Sequence, residues 1–256
     1  MDIMSITGIF AAAALLIYGM VAGGGELNNF FDIKSAAIVL GGTLAALMII
    51  FPLKSFASLP KLIIKIFTPK QFDPRKYISD VVAAAYLVKK DGLLSLEDMI
   101  PEYKDVLMRK GIQLAVDSTE PEEIREILET ELGYMTDRHK AGVQFFEKGA
   151  VLAPGFGMLG TLVGLINILI RADNPEGITV SMAAALITTF YGLILANIIF
   201  LPMGNKLQRI SEDEVLCKKI IIEGITAIMT GESPKQIYEK LTAYVTPAMR
   251  NQIIRT

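Results

Sequence analysis

Four stretches of this 256-residue chain are long, apolar and free of Asp, Glu, Lys and Arg: residues 3–24, 36–53, 149–170 and 178–203. A helix needs about 20 mostly apolar residues to cross the hydrocarbon core of a bilayer. The first stretch lies where a signal peptide would lie, but it lacks a basic leading region and an A-x-A cleavage site. The sequence therefore predicts four transmembrane helices.

The distribution of basic residues predicts the orientation of these helices. Of the 25 Lys and Arg residues, only Lys34 and Arg171 fall in the short connections within the two pairs of spans. The others lie in residues 54–148 and 204–256, and the positive-inside rule places such segments in the cytoplasm. We therefore expect a multi-pass protein of the bacterial inner membrane with both termini in the cytoplasm.

Two scarce residue types limit the chemistry of the chain. His139 is the only histidine and Cys217 the only cysteine, which rules out an intrachain disulfide and leaves a zinc site without nearby ligands. The sequence contains no nucleotide-binding or nucleophile motif. Its net charge of −2 is too small to favour nucleic acid. We expect a protein that is not an enzyme, that needs no cofactor or bound metal and that binds no nucleic acid.

The remaining segments have the apolar spacing of helices. One helical pattern includes Ile78 and ends at Gly92, and a second begins near Glu120 and meets the third span without a Pro or multi-Gly break. The second pattern predicts one long helix that couples the cytoplasmic part mechanically to the membrane. The predicted fold is all-α: transmembrane helices 1 and 2 (1–53), a cytoplasmic helical domain (54–148), transmembrane helices 3 and 4 (149–203) and cytoplasmic C-terminal helices (204–256).

The last two spans are rich in small and hydroxylated residues. Gly157, Thr161 and Gly164 share one face of the third span, and Thr188 and Thr189 lie on the fourth. Such faces allow close helix approach. Because no span carries a charged residue, the chain can hardly hold a titrating relay alone. Either this face receives a helix of another chain that brings a carboxylate, or it packs within the chain.

Three ordered motifs resemble the MotA/PomA family of flagellar stator proteins. The run APGFGMLGTLVGL at residues 153–165 is similar to the third-span signature of that family, and ALITTFYG at residues 185–192 to its fourth span. The run KKDGLLSLE at residues 89–97 is similar to its rotor-contacting segment. The four-span layout also matches, so the resemblance covers essentially the whole chain.

The resemblance implies a partner set and a mechanism. Family members form a homopentameric ring of A-type subunits around two B-type (MotB/PomB-like) subunits, a 5:2 complex embedded in membrane lipids. Each B-type chain brings a membrane helix with the ion-carrying Asp. Ion flow past this Asp is thought to step the ring, whose cytoplasmic domains then generate torque on the rotor protein FliG and so drive motility under the control of chemotaxis.

The resemblance also assigns roles to particular residues. Thr161 and Thr189 match hydroxyls that line the ion path, and a Thr at the first position accompanies sodium use in the family, whereas Ala or Gly accompanies proton use. The transported ion is therefore expected to be Na⁺ in preference to H⁺. The full set of ion-path residues is Thr161, Thr189, Pro154, Pro202, Gly157 and Tyr191, and the rotor-binding set is Lys89, Lys90 and Glu97.

Three other functions compete with this interpretation. An ExbB/TolQ-like proton-channel subunit, which energises outer-membrane processes, shares the Gly-rich span but has three spans rather than four. A secondary transporter would show internal repeats and polar groups at the membrane midplane, and no repeat relates the two span pairs. A structural anchor would not need paired Pro and Thr residues on adjacent spans.

Overall fold

The computed structural model describes residues 3–170, 175–250 and 253, with side chains described throughout except at residues 175–177. Within these residues the regular structure is helical and contains no β-strand. Among them lie four helical segments long and apolar enough to cross a membrane. The predicted all-α class with four membrane helices and further helical segments is confirmed.

The first three helices follow one another closely. Helix α1 spans Ile3–Ala22. Helix α2 begins as Ile33–Ala36, passes through a π-helical turn at Ala37–Gly41 and ends as Gly42–Ile50. Helix α3 spans Leu53–Phe67. A short 3₁₀ turn, Leu27–Phe30, lies between α1 and α2.

The second predicted span, residues 36–53, is displaced by three residues at each end. Helix α2 starts at Ile33 because the Asp32 carboxylate caps it, accepting a hydrogen bond from the Ser35 backbone N–H at 2.9 Å. It ends at Ile50 because Phe51 has an extended backbone and Pro52 follows. The predicted bounds 36–53 rested on hydropathy alone, which includes neither the Asp32 cap nor the stop at Phe51 and Pro52.

The helices of the long connection begin with α4, Pro74–Asp91, which ends at Gly92. The positive φ of Gly92, +85°, is a conformation that favours glycine, so the predicted C-cap is confirmed. A 3₁₀ helix, Leu93–Glu102, and helix α5, Val106–Val116, follow.

Two long helices carry the last two predicted spans. Helix α6 runs without interruption over Pro121–Ile170, which confirms the single long helix predicted from about Glu120. Helix α7 consists of Pro175–Ile194, a π-helical turn Leu195–Phe200 and the segment Leu201–Met229. The helical path thus continues through both Pro154 and Pro202. Part of the predicted outer connection, residues 171–174, lies outside the described residues.

The chain forms two compact units. The first comprises residues 1–70 and 139–208, and the second residues 71–138 and 209–256. In the first unit, Phe145 packs edge-on against Phe56 with ring centroids 5.2 Å apart, and Phe146 lies 6.3 Å from Phe200. These rings anchor α3 and the membrane helices in one apolar cluster. The predicted divisions after residues 53, 148 and 203 concern topology relative to the membrane and stay predictions.

The second unit has its own apolar core. Ile78 of α4, Leu128 of α6 and Ile220 of α7 are fully buried in it. Helices α8, Pro234–Thr242, and α9, Pro247–Arg250, complete this unit. Helix α8 starts with a capping box between Ser233 and Gln236.

A buried ion pair joins two elements of the second unit. The Lys218 ammonium donates to both carboxylate oxygens of Asp105 at 2.7 Å, and the two side chains are 11% and 8% exposed. The same carboxylate caps α5 by accepting from the Leu107 N–H, and the Tyr77 hydroxyl donates to it at 3.2 Å. Burial by itself raises the pKa of Asp105, but the bond and charge of Lys218, together with the N–H groups of Met108 and Leu107, outweigh it, so that pKa lies below its usual range.

Candidate functional site

Helices α6 and α7 approach each other through glycines. A Cβ built on Gly157 would lie 3.1 Å from the Thr188 carbonyl oxygen, and one on Gly192 would lie 2.7 Å from the Ala153 carbonyl oxygen. A Cβ on Gly164 would lie 2.6 Å from the Ala185 Cβ. The glycine side of α6 therefore packs on α7 of the same chain, which favours the second of the two interpretations that the sequence left open for these glycines.

Two threonines on this interface form a hydroxyl pair. The Oγ1 atoms of Thr161 and Thr189 are 2.5 Å apart. The Thr161 Oγ1 is also 3.1 Å from the Gly157 carbonyl oxygen and 3.0 Å from the Ala185 carbonyl oxygen. Two predicted ion-path hydroxyls thus lie together with two backbone carbonyls, in a cluster of four oxygens that we call the oxygen cluster.

The oxygen cluster is neutral and partly open. Thr161 and Thr189 are both half-buried, whereas neighbouring Thr188 is buried and bonds only to the Ala184 and Ala185 carbonyls of its own helix among the contacts described. Hydroxyl and carbonyl oxygens can replace part of the hydration shell of a small cation. They supply no net charge, so a carboxylate would have to come from outside this chain to complete a site for a cation.

The two predicted prolines occupy different positions. Pro154 is half-buried and lies at the close approach of α6 to α7, where its Cα would be 3.2 Å from a Cβ on Gly192. Pro202 is exposed and follows the π-helical turn Leu195–Phe200 of α7. Proline lacks the N–H that an α-helix needs, and π turns are frequent at functional sites.

Tyr191 faces a segment that the sequence left without a role. Its hydroxyl donates to the Phe30 carbonyl at 2.6 Å and accepts from the Asp32 N–H at 3.1 Å. The Ser35 hydroxyl adds a second tie to α7 through the Ala184 carbonyl at 3.3 Å. The signal that could have identified this segment is the pair Asp32 and Ser35, spaced as an N-cap and its third helical residue.

The predicted rotor-binding residues lie on the surface of the second unit. Lys89 and Lys90 occupy the last turn of α4, Glu97 lies in the following 3₁₀ helix, and all three are exposed. Gly92 makes the turn between them. An open groove of about 540 Å³ lined by Ala83, Tyr86, Leu87 and Lys90 adjoins this segment.

The chain is similar to known proteins over almost its whole length. A family described as the MotA/TolQ/ExbB proton channel family matches residues 100–220. Motility protein A of Treponema phagedenis is 35% identical, covering 99% of this chain and 97% of its own length. Chemotaxis protein PomA of Vibrio alginolyticus is 35% identical, covering 98% of each. A chain in the structure of the flagellar MotAB stator complex from Bacillus subtilis superposes with a TM-score of 0.89 at 32% identity, covering 98% of this chain and 100% of that one.

Proposed function

We propose that this chain, which belongs to the MotA/TolQ/ExbB proton channel family, is the A-type stator subunit of a bacterial flagellar motor. The relatives named motility protein A and PomA match it over almost their whole lengths, including the two membrane helices that precede the long connection. The family consists of ion-channel subunits and not of enzymes. The protein resides in the inner membrane, and we place both termini and the second unit in the cytoplasm, where a rotor could be reached.

The partner is a B-type subunit that supplies one membrane helix with a carboxylate. The solved neighbours are MotAB complexes, and the described membrane helices of this chain contain an uncharged oxygen cluster that lacks a carboxylate. We assign the assembly five A-type and two B-type chains, as in the family. In this assembly the exposed part of the Thr161 and Thr189 side chains faces the B-type helix.

The transported ion is Na⁺, and the oxygen cluster is the observation that supports this choice. Two hydroxyls and two carbonyls can each donate a lone pair to a cation, whereas proton transfer to a carboxylate needs no such set of ligands. The ion reaches the B-type carboxylate beside Thr161 and Thr189. Its binding and release change the charge of the carboxylate and hence its fit against the ring, which then rotates.

Removal of the Thr161 hydroxyl is expected to impair sodium use. Thr161→Val keeps the side-chain volume but deletes one ligand and one half of the hydroxyl pair, so the sodium concentration for half-maximal swimming speed should rise at least about tenfold, as expected for a lost ligand interaction of about 1.4 kcal/mol or more. The measurement is swimming speed against sodium at fixed pH in a strain with no other stator.

Thr188→Val is the matched control for this test. The described bonds of the Thr188 hydroxyl go to its own helix, so its loss should leave the sodium dependence within about twofold of wild type. Equal sodium curves for Thr161→Val, Thr188→Val and wild type would exclude Thr161 as an ion ligand.

Charge reversal at the rotor segment is expected to block torque without affecting assembly. Lys89→Glu combined with Lys90→Glu places two negative charges beside Glu97, so attraction to an acidic patch on FliG becomes repulsion. Swarm diameter should fall to the level of a stator deletion, and a matching charge reversal in FliG should restore part of it. Reversal of the exposed pair Lys219 and Lys235 in the same unit serves as the control, and equal loss in that variant would refute the assignment.

A further inference from the structure

Helix α3 lies directly after the second membrane helix and is attached to the first unit. Two residues with an extended backbone, Phe51 and Pro52, separate it from α2. One face packs into the apolar cluster of the membrane helices, with Ile66 buried and Phe56, Leu59 and Leu62 partly buried against it. The helix is therefore held beside the ends of membrane helices and not in free solution.

The opposite face of α3 is apolar and uncovered. Leu53, Ala57, Pro60 and Ile64 recur at helical spacing on it, and Leu53 and Ile64 are 82% and 62% exposed. Leaving apolar surface in water is unfavourable. A helix with one packed apolar face and a second exposed apolar face is suited to a boundary between protein, lipid and water.

A row of lysines borders this exposed apolar face. Lys54, Lys61 and Lys65 lie at positions i, i+7 and i+11 of α3, on one side of the helix. Residues 53–67 contain no Asp or Glu, so the net charge of the helix is +3 from its side chains. Lysine side chains can extend from such a position to the headgroup layer while the helix itself lies lower.

We propose that the lysine row of α3 binds the headgroups of anionic phospholipids at the membrane surface. Leu53, Ala57 and Ile64 then enter the acyl-chain boundary, and the ammonium groups of the exposed Lys54 and Lys61 contact lipid phosphates. Each lysine near an anionic membrane surface strengthens binding roughly fivefold. The site lies on the membrane side that carries the long connection between the second and third helices. It depends only on the membrane helices and not on the transported ion or the rotor.

A lipid-quenching experiment tests this site on the intact complex of the chain with its B-type partner. Ile64→Cys introduces a thiol for a fluorophore, and the native Cys217 is buried, with its pKa raised to about 12 by that burial, so it does not compete for the label. The complex is placed in nanodiscs of equal parts phosphatidylglycerol and phosphatidylcholine. Dibrominated acyl chains, which quench on contact, are carried by one lipid class at a time.

The expected result is strong quenching, with brominated phosphatidylglycerol more effective than brominated phosphatidylcholine by at least about fivefold in relative binding constant, the effect of one lysine contact. Lys54→Gln, Lys61→Gln and Lys65→Gln together should reduce this ratio to near one. The control changes Lys104, Lys219 and Lys235, exposed lysines of the second unit, to Gln and should leave it unchanged. Absence of quenching by either lipid, as when a second copy of the chain covers α3, would overturn the proposal, as would a headgroup preference that survives loss of the lysine row.

Discussion

Gly192→Val is expected to abolish motility and to destabilise the membrane part of the chain. A Cβ at this position would lie 2.7 Å from the Ala153 carbonyl oxygen and 3.2 Å from the Cα atoms of Pro154 and Gly157. These are backbone atoms that cannot rotate away, so α6 and α7 must separate and the Thr161–Thr189 pair must break. Overpacking of this kind costs about 3 kcal/mol or more when backbone must move. Thermal unfolding of the purified complex, followed by circular dichroism, and swarm diameter measure the two effects.

Gly155→Val is the matched control. It makes the same change of residue type at an exposed position of α6, where a Cβ meets no described atom of the chain within 4 Å. Its melting temperature should therefore stay close to that of wild type. If Gly192→Val melted and swam like Gly155→Val, the close approach of α6 and α7 would not be needed for the function proposed above.

Lys218→Met is expected to destabilise the second unit by about 3–5 kcal/mol, because it leaves the carboxylate of Asp105 buried without its partner. Hydrogen–deuterium exchange of peptides from α4 and α5 measures the effect as a fall in protection. Lys219→Met, at the exposed neighbouring position, should change protection little. Combining Lys218→Met with Asp105→Asn should cost less than the sum of the two single changes, and strict additivity would refute coupling between the two charges.

The loss of stability in Lys218→Met should depend on pH in a defined direction. In the wild type the pKa of Asp105 is depressed, so its contribution to stability is present above the unfolded-state pKa of about 3.9 and is lost as the pH falls through the lower folded-state pKa. In Lys218→Met the hydrogen bond and charge of the lysine are lost, so burial raises that pKa against only the backbone N–H groups of Leu107 and Met108. The difference in stability between wild type and variant should therefore be full at neutral pH and shrink as the pH falls from the raised pKa of the variant to the depressed pKa of the wild type.

Much of the fold was predictable because its signals are local. The four uncharged runs marked the membrane helices, and the unbroken apolar stripe from about Glu120 marked the long helix now seen at Pro121–Ile170. Gly92 and Ser233 mark a helix end and a helix start through their own backbone and side-chain chemistry. In each case residues within one or two turns decide the structure.

The remaining features depend on residues far apart in sequence. Nothing near Asp105 indicates that Lys218, 113 positions later, will pair with it. The bond between Tyr191 and the segment around Asp32 spans 159 positions. The displaced bounds of α2 have a different cause, because the Asp32 cap and the Phe51–Pro52 stop are local signals that the hydropathy pattern does not include.

The candidate site was predictable from the sequence only in part. Helical spacing placed Gly157 and Thr161 on one face, but it did not show whether that face packs within the chain. The structure places Thr161 against Thr189 and the Ala185 carbonyl of α7. Roles for Lys89, Lys90 and Glu97 came from the family resemblance, since exposed charges at the end of a helix have no distinctive pattern of their own.

Swimming speed against external sodium at fixed pH, in a strain whose only stator is this chain with its B-type partner, tests the proposed function most directly. We predict a saturating rise of speed with sodium that persists when a protonophore is added and disappears when the chain is deleted. Swimming that does not depend on sodium and stops when the protonophore is added would support the stator role but identify H⁺ as the transported ion. No swimming at any sodium concentration, with the complex inserted and bound to its partner, would contradict the stator function itself.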